Sequence, residues 1–264
     1  MDQQTVILAF LLTLFAGLST GIGSLIALIA KRTNTNFLSL SLGLSAGVMI
    51  YVSFMEMLPK SLETLTTGFG EKQGTLYMLL SLFGGIALIS LIDFLVPEDK
   101  NPHEMHSVEE MKNRSRLKHA GIITAITIAI HNFPEGIATF MSALNSLEIA
   151  IPITVAIAIH NIPEGIAVAV PIYHATGSKK KAFWFSFASG LAEPLGALLA
   201  YLFLMPFWSP TLDGVVLGVV AGIMIFISLD ELLPSAEKYG KHHLSIIGLV
   251  SGMLIMALSL YLFI

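Results

Sequence analysis

The chain has 264 residues, 55% of them hydrophobic and only 12% charged, with 14 Lys and Arg against 18 Asp and Glu for a formal net charge of −4. A soluble domain of this size carries about twice that share of charge, so the composition excludes a water-soluble globule and points to a helical membrane protein. The lack of cysteine excludes disulfides and every thiolate metal site. The short alternating segments of a membrane β-barrel are absent from the pattern, and nothing points to a nucleic-acid partner.

Apolar runs of about 20 residues, the length that crosses a ~30 Å hydrocarbon layer, predict eight transmembrane helices. They cover residues 5–30, 36–58, 74–96, 118–143, 147–171, 181–206, 211–234 and 244–264. The first run is too long for the apolar region of a signal peptide and reads as a spanning helix. The second carries small residues suited to close packing (Ser39, Ser41, Gly43, Ser45, Gly47) and ends near Glu56. The third is followed by a polar loop over 97–117, with His103, His106 and, at its border, His119. That loop reads as a cytoplasmic linker, or as a weak metal-capture segment, since His and Glu are adequate zinc ligands.

The fourth and fifth runs each contain one copy of a six-residue word, His131-Asn132-Phe133-Pro134-Glu135-Gly136 and His160-Asn161-Ile162-Pro163-Glu164-Gly165. The sixth holds Glu193 at similar depth, and the seventh ends near Asp230 and Glu231. Twelve of the fourteen basic residues follow the first, third, fifth and seventh runs, and only Lys60 and Lys72 lie in the alternate loops. The positive-inside rule then places the basic loops in the cytoplasm and both termini outside.

A second, longer word recurs near the ends of runs two and seven: Tyr51-Val52-Ser53-Phe54-Met55-Glu56-Met57-Leu58-Pro59 against Phe226-Ile227-Ser228-Leu229-Asp230-Glu231-Leu232-Leu233-Pro234. These runs cross in opposite directions, as do runs four and five. The expected architecture is therefore an inverted repeat of helices one to three and six to eight around a central four/five pair, all within one transporter domain spanning residues 1–264. Secondary transporters recurrently place a midplane site at such a repeat interface.

Ionisable groups at bilayer depth are costly and mark function. On a helix His131 and Glu135 stand four residues apart on one face, as do His160 and Glu164. Pro134 and Pro163 each withhold a backbone donor and disturb the carbonyls of Ile130 and Ile159, a defect tolerated where a helix lines a cavity. Gly136 and Gly165 allow close helix approach. Imidazole, carboxylate and amide oxygen without sulfur suit Zn²⁺, Fe²⁺, Mn²⁺ or Co²⁺. With both carboxylates bridging, His131, Glu135, His160 and Glu164 form one set, and Asn132, Asn161 and Glu193 with the shared carboxylates form a second. The His-Glu-x-x-His string of zinc proteases is missing.

In these words the chain resembles the ZIP (Zrt/Irt-like) divalent-metal transporters, and within them the bacterial ZupT branch. The resemblance implies a binuclear site between helices four, five and six, and uptake of zinc, often with iron, manganese, cobalt or cadmium, into the cytoplasm. It also implies a pathway role for Glu56, Asp230 and Glu231. Many relatives carry His before the Glu at both places, where this chain has Met55 and Asp230. The expected protein is thus a multi-pass transporter of the cytoplasmic membrane with no enzymatic activity and no catalytic cofactor, ordinarily a homodimer. The rival readings are an intramembrane metal hydrolase, which would need an open ligand position, and a channel using the same ligands.

Overall fold

The computed structural model describes residues 3–29, 35–95, 114–145, 147–239 and 242–262, which are helical and contain no strand. Eight rods follow one another: α1 (Gln3–Ile29), α2 (35–69), α3 (Glu71–Leu95), α4 (Arg114–Asn145), α5 (Leu147–Thr176), α6 (Lys179–Phe207), α7 (210–239) and α8 (His242–Leu262). The chain is an all-α membrane protein. Among the described residues seven rods are long and apolar enough to cross a bilayer. The eighth, α4, begins on Arg114, Arg116 and Lys118 and carries His131, Asn132, Pro134 and Glu135 at its middle.

The largest departure from the predicted limits is in α2, which runs on to Phe69 instead of stopping at 58; α5 and α7 each run five residues on, to Thr176 and Tyr239 instead of 171 and 234. Falling hydropathy marks the edge of the bilayer, while a helix ends only where its hydrogen bonding ends. Gly70, at φ 78°, is the whole connection between α2 and α3. The polar loop over 97–117 lies outside the described residues up to position 113, with His103 and His106; α4 already begins at Arg114. The side chain of His119 is likewise outside them.

Proline acts differently in different rods. Pro59 has no N–H to donate and its ring crowds the carbonyl four residues back. The helix widens ahead of it into a π turn over Ser53–Met57, closed by the Leu58 N–H on the Ser53 carbonyl. Pro234 follows an equivalent π turn over Ser228–Leu232, closed by Leu233 on Ser228, and Pro206 follows one over Ala200–Leu204. Pro134 and Pro163, by contrast, sit inside uninterrupted helices. The interruption at bilayer depth is in α6, at Leu191, three residues before Pro194.

The rods pack in pairs that exchange under an inverted repeat. α2 packs on α8 as α7 packs on α3, and α1 packs on α5 as α6 packs on α4. α1 meets α4 as α6 meets α5, and α2 meets α5 as α7 meets α4. The residues obey the same exchange at one constant offset: Gly43, Gly47, Ser53, Glu56 and Pro59 of α2 correspond to Gly218, Gly222, Ser228, Glu231 and Pro234 of α7. The main apolar core joins α2, α7, α4, α5 and α8 through residues such as Met49, Met224, Ala138, Ile166 and Met256.

Without a hydrophobic effect between helices in lipid, close backbone approach holds such pairs together. A Cβ on Gly252 would lie 2.1 Å from the Leu44 carbonyl, and one on Gly222 would lie 2.2 Å from that of Leu82. Gly84 of α3 has open space around it. Gly252→Val is therefore expected to lower stability by about 1–3 kcal/mol through overpacking, while Gly84→Ala leaves it unchanged. Thermal unfolding in detergent checks the pair; equal midpoints would show that the α2–α8 seam is not close-packed.

Candidate metal centre

The two repeated words bring their polar side chains to one buried locus. Asn132, His160, Asn161 and Glu193 have no exposed surface, and Glu135 and Glu164 are 1% exposed. The side chain of His131 lies outside the described residues. His160 Nε2 is 3.2 Å from Glu135 Oε2, a hydrogen bond between the central helices α5 and α4. Asn161 Nδ2 donates to Glu193 Oε1, joining α5 to α6. Glu193 also lies close enough to Glu135 and to Glu164 for like-charge repulsion with each. Six of the seven predicted ligands thus converge from α4, α5 and α6. Among the described residues no three His, Asp or Glu side chains alone are gathered tightly enough to hold an ion. The donors are paired with one another instead, Glu135 with His160 and Glu193 with Asn161.

Backbone carbonyls of the surrounding helices fix the two asparagines. Asn132 Nδ2 donates to the Ser189 carbonyl at 3.4 Å, in α6 just before its interruption at Leu191. Asn161 Nδ2 donates to the Ala16 carbonyl of α1 at 2.9 Å. Because both acceptors are backbone oxygens, the amide orientations follow from the bonding. Asn132 Oδ1, Asn161 Oδ1 and Glu193 Oε2 are left buried with no hydrogen-bond partner among the described residues.

The glycine that closes each word permits this convergence. A Cβ on Gly136 would lie 2.1 Å from the Glu193 carbonyl, and one on Gly165 would lie 1.9 Å from the Thr20 carbonyl. Gly136 thereby presses α4 onto α6, and Gly165 presses α5 onto α1. Ser186 Oγ reinforces the second contact by hydrogen bonding to the carbonyls of Gly165 and Thr20, at 3.1 and 3.3 Å. From the other half of the molecule, Ser45 Oγ of α2 donates to the His160 carbonyl at 3.3 Å.

A profile of the family described as ZIP zinc transporter matches residues 96–260. The zinc transporter ZupT of Streptococcus mutans serotype c is 60% identical to this chain over 263 residues, covering 99% of the chain and all of the relative. The chain belongs to the ZIP family. Other zinc transporters ZupT are similar over comparable lengths: that of Clostridium perfringens is 56% identical, covering 100% of the chain and 98% of the relative, and that of Corynebacterium aurimucosum is 57% identical, covering both fully.

The other three expected residues of this ZIP protein stand apart from the buried locus, in the two π turns. Glu56 is half-buried within Ser53–Met57; within Ser228–Leu232, Asp230 is exposed and Glu231 buried. Glu56 and Glu231 occupy the fourth position of their turns, and Met55 is the counterpart of Asp230. His242, at the start of α8, is exposed and pairs with Glu237 at 2.7 Å.

Reasoning from the words alone missed the contribution of α1. The signal was its run of small and hydroxyl residues, in which Ala16, Gly17, Ser19, Thr20, Gly21, Gly23 and Ser24 are all buried. It also missed Ser186 and Ser189, whose hydroxyl and carbonyl support the locus from α6.

Asn161→Leu keeps the volume but removes the bonds to Ala16 and Glu193. Leaving Glu193 buried without its donor costs about 1–3 kcal/mol or more, so the variant should unfold at a lower temperature in detergent. An unchanged midpoint would show that this amide does not tie α5 to α1 and α6.

Proposed function

We propose that this chain takes up divalent cations across the cytoplasmic membrane, zinc foremost, through a binuclear centre on α4, α5 and α6. The observation that carries the reading is the set of buried oxygens without donors, Asn132 Oδ1, Asn161 Oδ1 and Glu193 Oε2, beside the Glu135–His160 pair. An unpaired polar atom in hydrocarbon costs several kcal/mol, and a cluster made of acceptors alone is satisfied by a cation. Zinc is favoured by the names of the relatives; iron, manganese, cobalt and cadmium suit the same imidazole, carboxylate and amide donors.

One ion is held by His131, Glu135, His160 and Glu164. The other is held by Asn132, Asn161 and Glu193, with Glu135 and Glu164 shared. Binding exchanges the hydrogen bonds from His160 and Asn161 to the carboxylates for bonds to metal, which needs side-chain rotation but no movement of the helices. Glu56 receives the cation at the outer mouth, and Asp230 and Glu231 pass it on at the inner one. α1, α4, α5 and α6 rock against α2, α3, α7 and α8, with all eight rods crossing the bilayer and both termini outside. Residues 1–264 act as one transporter domain, paired in a homodimer, and perform no chemical step on the ion. Protonation of His or Glu aids release, because these groups bind metal only when deprotonated.

The test is uptake of zinc, then iron and manganese, into proteoliposomes carrying the wild type or Glu164→Ala. Saturable wild-type flux that falls at least tenfold in the variant is expected, the loss of one bridging ligand being worth that much. Well-folded wild type that moves no divalent ion would overturn the reading. Flux indifferent to an imposed pH gradient would sink the proton-aided release alone.

A further inference from the structure

The inverted repeat relates the surroundings of the two words contact by contact. Asn132 donates to Ser189 of α6, and Asn161 donates to Ala16 of α1. Gly136 abuts the carbonyl of Glu193, four residues after Ser189; Gly165 abuts that of Thr20, four residues after Ala16. The position that α6 fills with Glu193 is therefore filled in α1 by Thr20. Both side chains are fully buried.

Thr20 also differs from its neighbours. A buried helical Ser or Thr ordinarily returns its hydroxyl to a carbonyl three or four residues back, as Thr13 does to Ala9, Ser19 to Ala16 and Ser24 to Gly21. For Thr20 the carbonyl four residues back is that of Ala16, whose oxygen already accepts from Asn161 and Ser19, and Thr20 makes no bond to the one three back, that of Gly17. Thr20 Oγ1 is left buried with no partner among the described residues. It faces Gly190, where an added Cβ would lie 2.8 Å from it, and Gly190 adjoins the carbonyl that Asn132 holds. The hydroxyl is thus on the Asn132 side of the centre, as Glu193 is on the Asn161 side.

We infer that Thr20 is an oxygen ligand of the metal centre supplied by α1, the neutral counterpart of Glu193, and that it joins Asn132, Asn161 and Glu193 around one of the two ions. This rests on the two-ion reading above. A hydroxyl supplies a lone pair without a charge, so α1 presents a neutral oxygen to that ion where α6 presents a carboxylate. Divalent affinity rises with the number of anionic ligands, so α1 and α6 contribute unequally within a nearly symmetric scaffold.

The test compares zinc stoichiometry and affinity by equilibrium dialysis, and initial zinc uptake in proteoliposomes, for the wild type, Thr20→Val, Thr20→Ser and Thr154→Val. Thr154 is a control, a buried threonine whose hydroxyl already bonds to Ala150. Thr20→Val conserves shape, and removing an unpaired buried hydroxyl leaves unfolding temperature unchanged or higher. One of its two zinc affinities is expected to fall about tenfold, the effect of one bond to a charged group, with the other unchanged. Thr20→Ser and Thr154→Val should match the wild type. Two unchanged affinities in Thr20→Val, an equal loss at both sites, or Thr20→Ser behaving as Thr20→Val would overturn the assignment. A wild type binding a single ion would overturn the two-ion reading and this inference with it, whereas two ions in the wild type with no effect of Thr20→Val removes the inference alone.

Discussion

The bilayer core offers no water, so every polar atom placed there must find its partner inside the protein. That constraint orders the rest of the structure. Two copies of His, Asn and Glu at mid-helix would be prohibitively costly on a lone α4 or α5. Here Asn132 is tied to α6, Asn161 to α1 and α6, and His160 through its side chain to α4 and through its carbonyl to α2. The hydrogen bonds that satisfy the centre are the ones that assemble the helices around it. Glycine makes this feasible, since Gly136 and Gly165 bring backbone carbonyls within reach where any side chain would hold them apart.

How much of this the chain discloses depends on whether a feature is local. The eight rods, the small-residue faces and the two words are written in runs of a single segment, and five of the six polar residues of the words are buried in one locus with Glu193. Partner carbonyls have no such signature. Ala16 and Ser189 accept bonds through their backbones, and nothing in the side chain of either announces it. The breaks were misplaced for a related reason. Proline signals that a turn must deform, but tertiary packing decides where the deformation goes: Pro134 and Pro163 are absorbed in continuous helix, while Pro194, next to Glu193, accompanies the interruption of α6.

The π turns extend the same logic along α2 and α7. Pro59 and Pro234 would each abolish one backbone bond and clash with a carbonyl, and a widened turn relieves both defects by inserting one residue. The insertion changes the face on which the following residues emerge. Glu56 and Glu231, at the same position of their turns, are placed by that offset rather than by the regular helical period. The two words that carry them are alike because the same backbone defect must be built twice, once in α2 and once in α7.

A scaffold repeated with inverted direction tends to make its two halves energetically alike, and that suits alternating access, because neither orientation is then locked in. Chemical identity between the halves is a different matter. A centre that must select an ion and still release it needs binding of intermediate strength, and four carboxylates in one buried locus would bind divalent ions tightly while repelling one another when empty. Holding Glu193 on one side and Thr20 on the other keeps three carboxylates instead of four, without disturbing the backbone contacts that the symmetry requires. Under the proposed function, symmetry of packing with asymmetry of charge allows one pair of repeated words to serve both assembly and exchange.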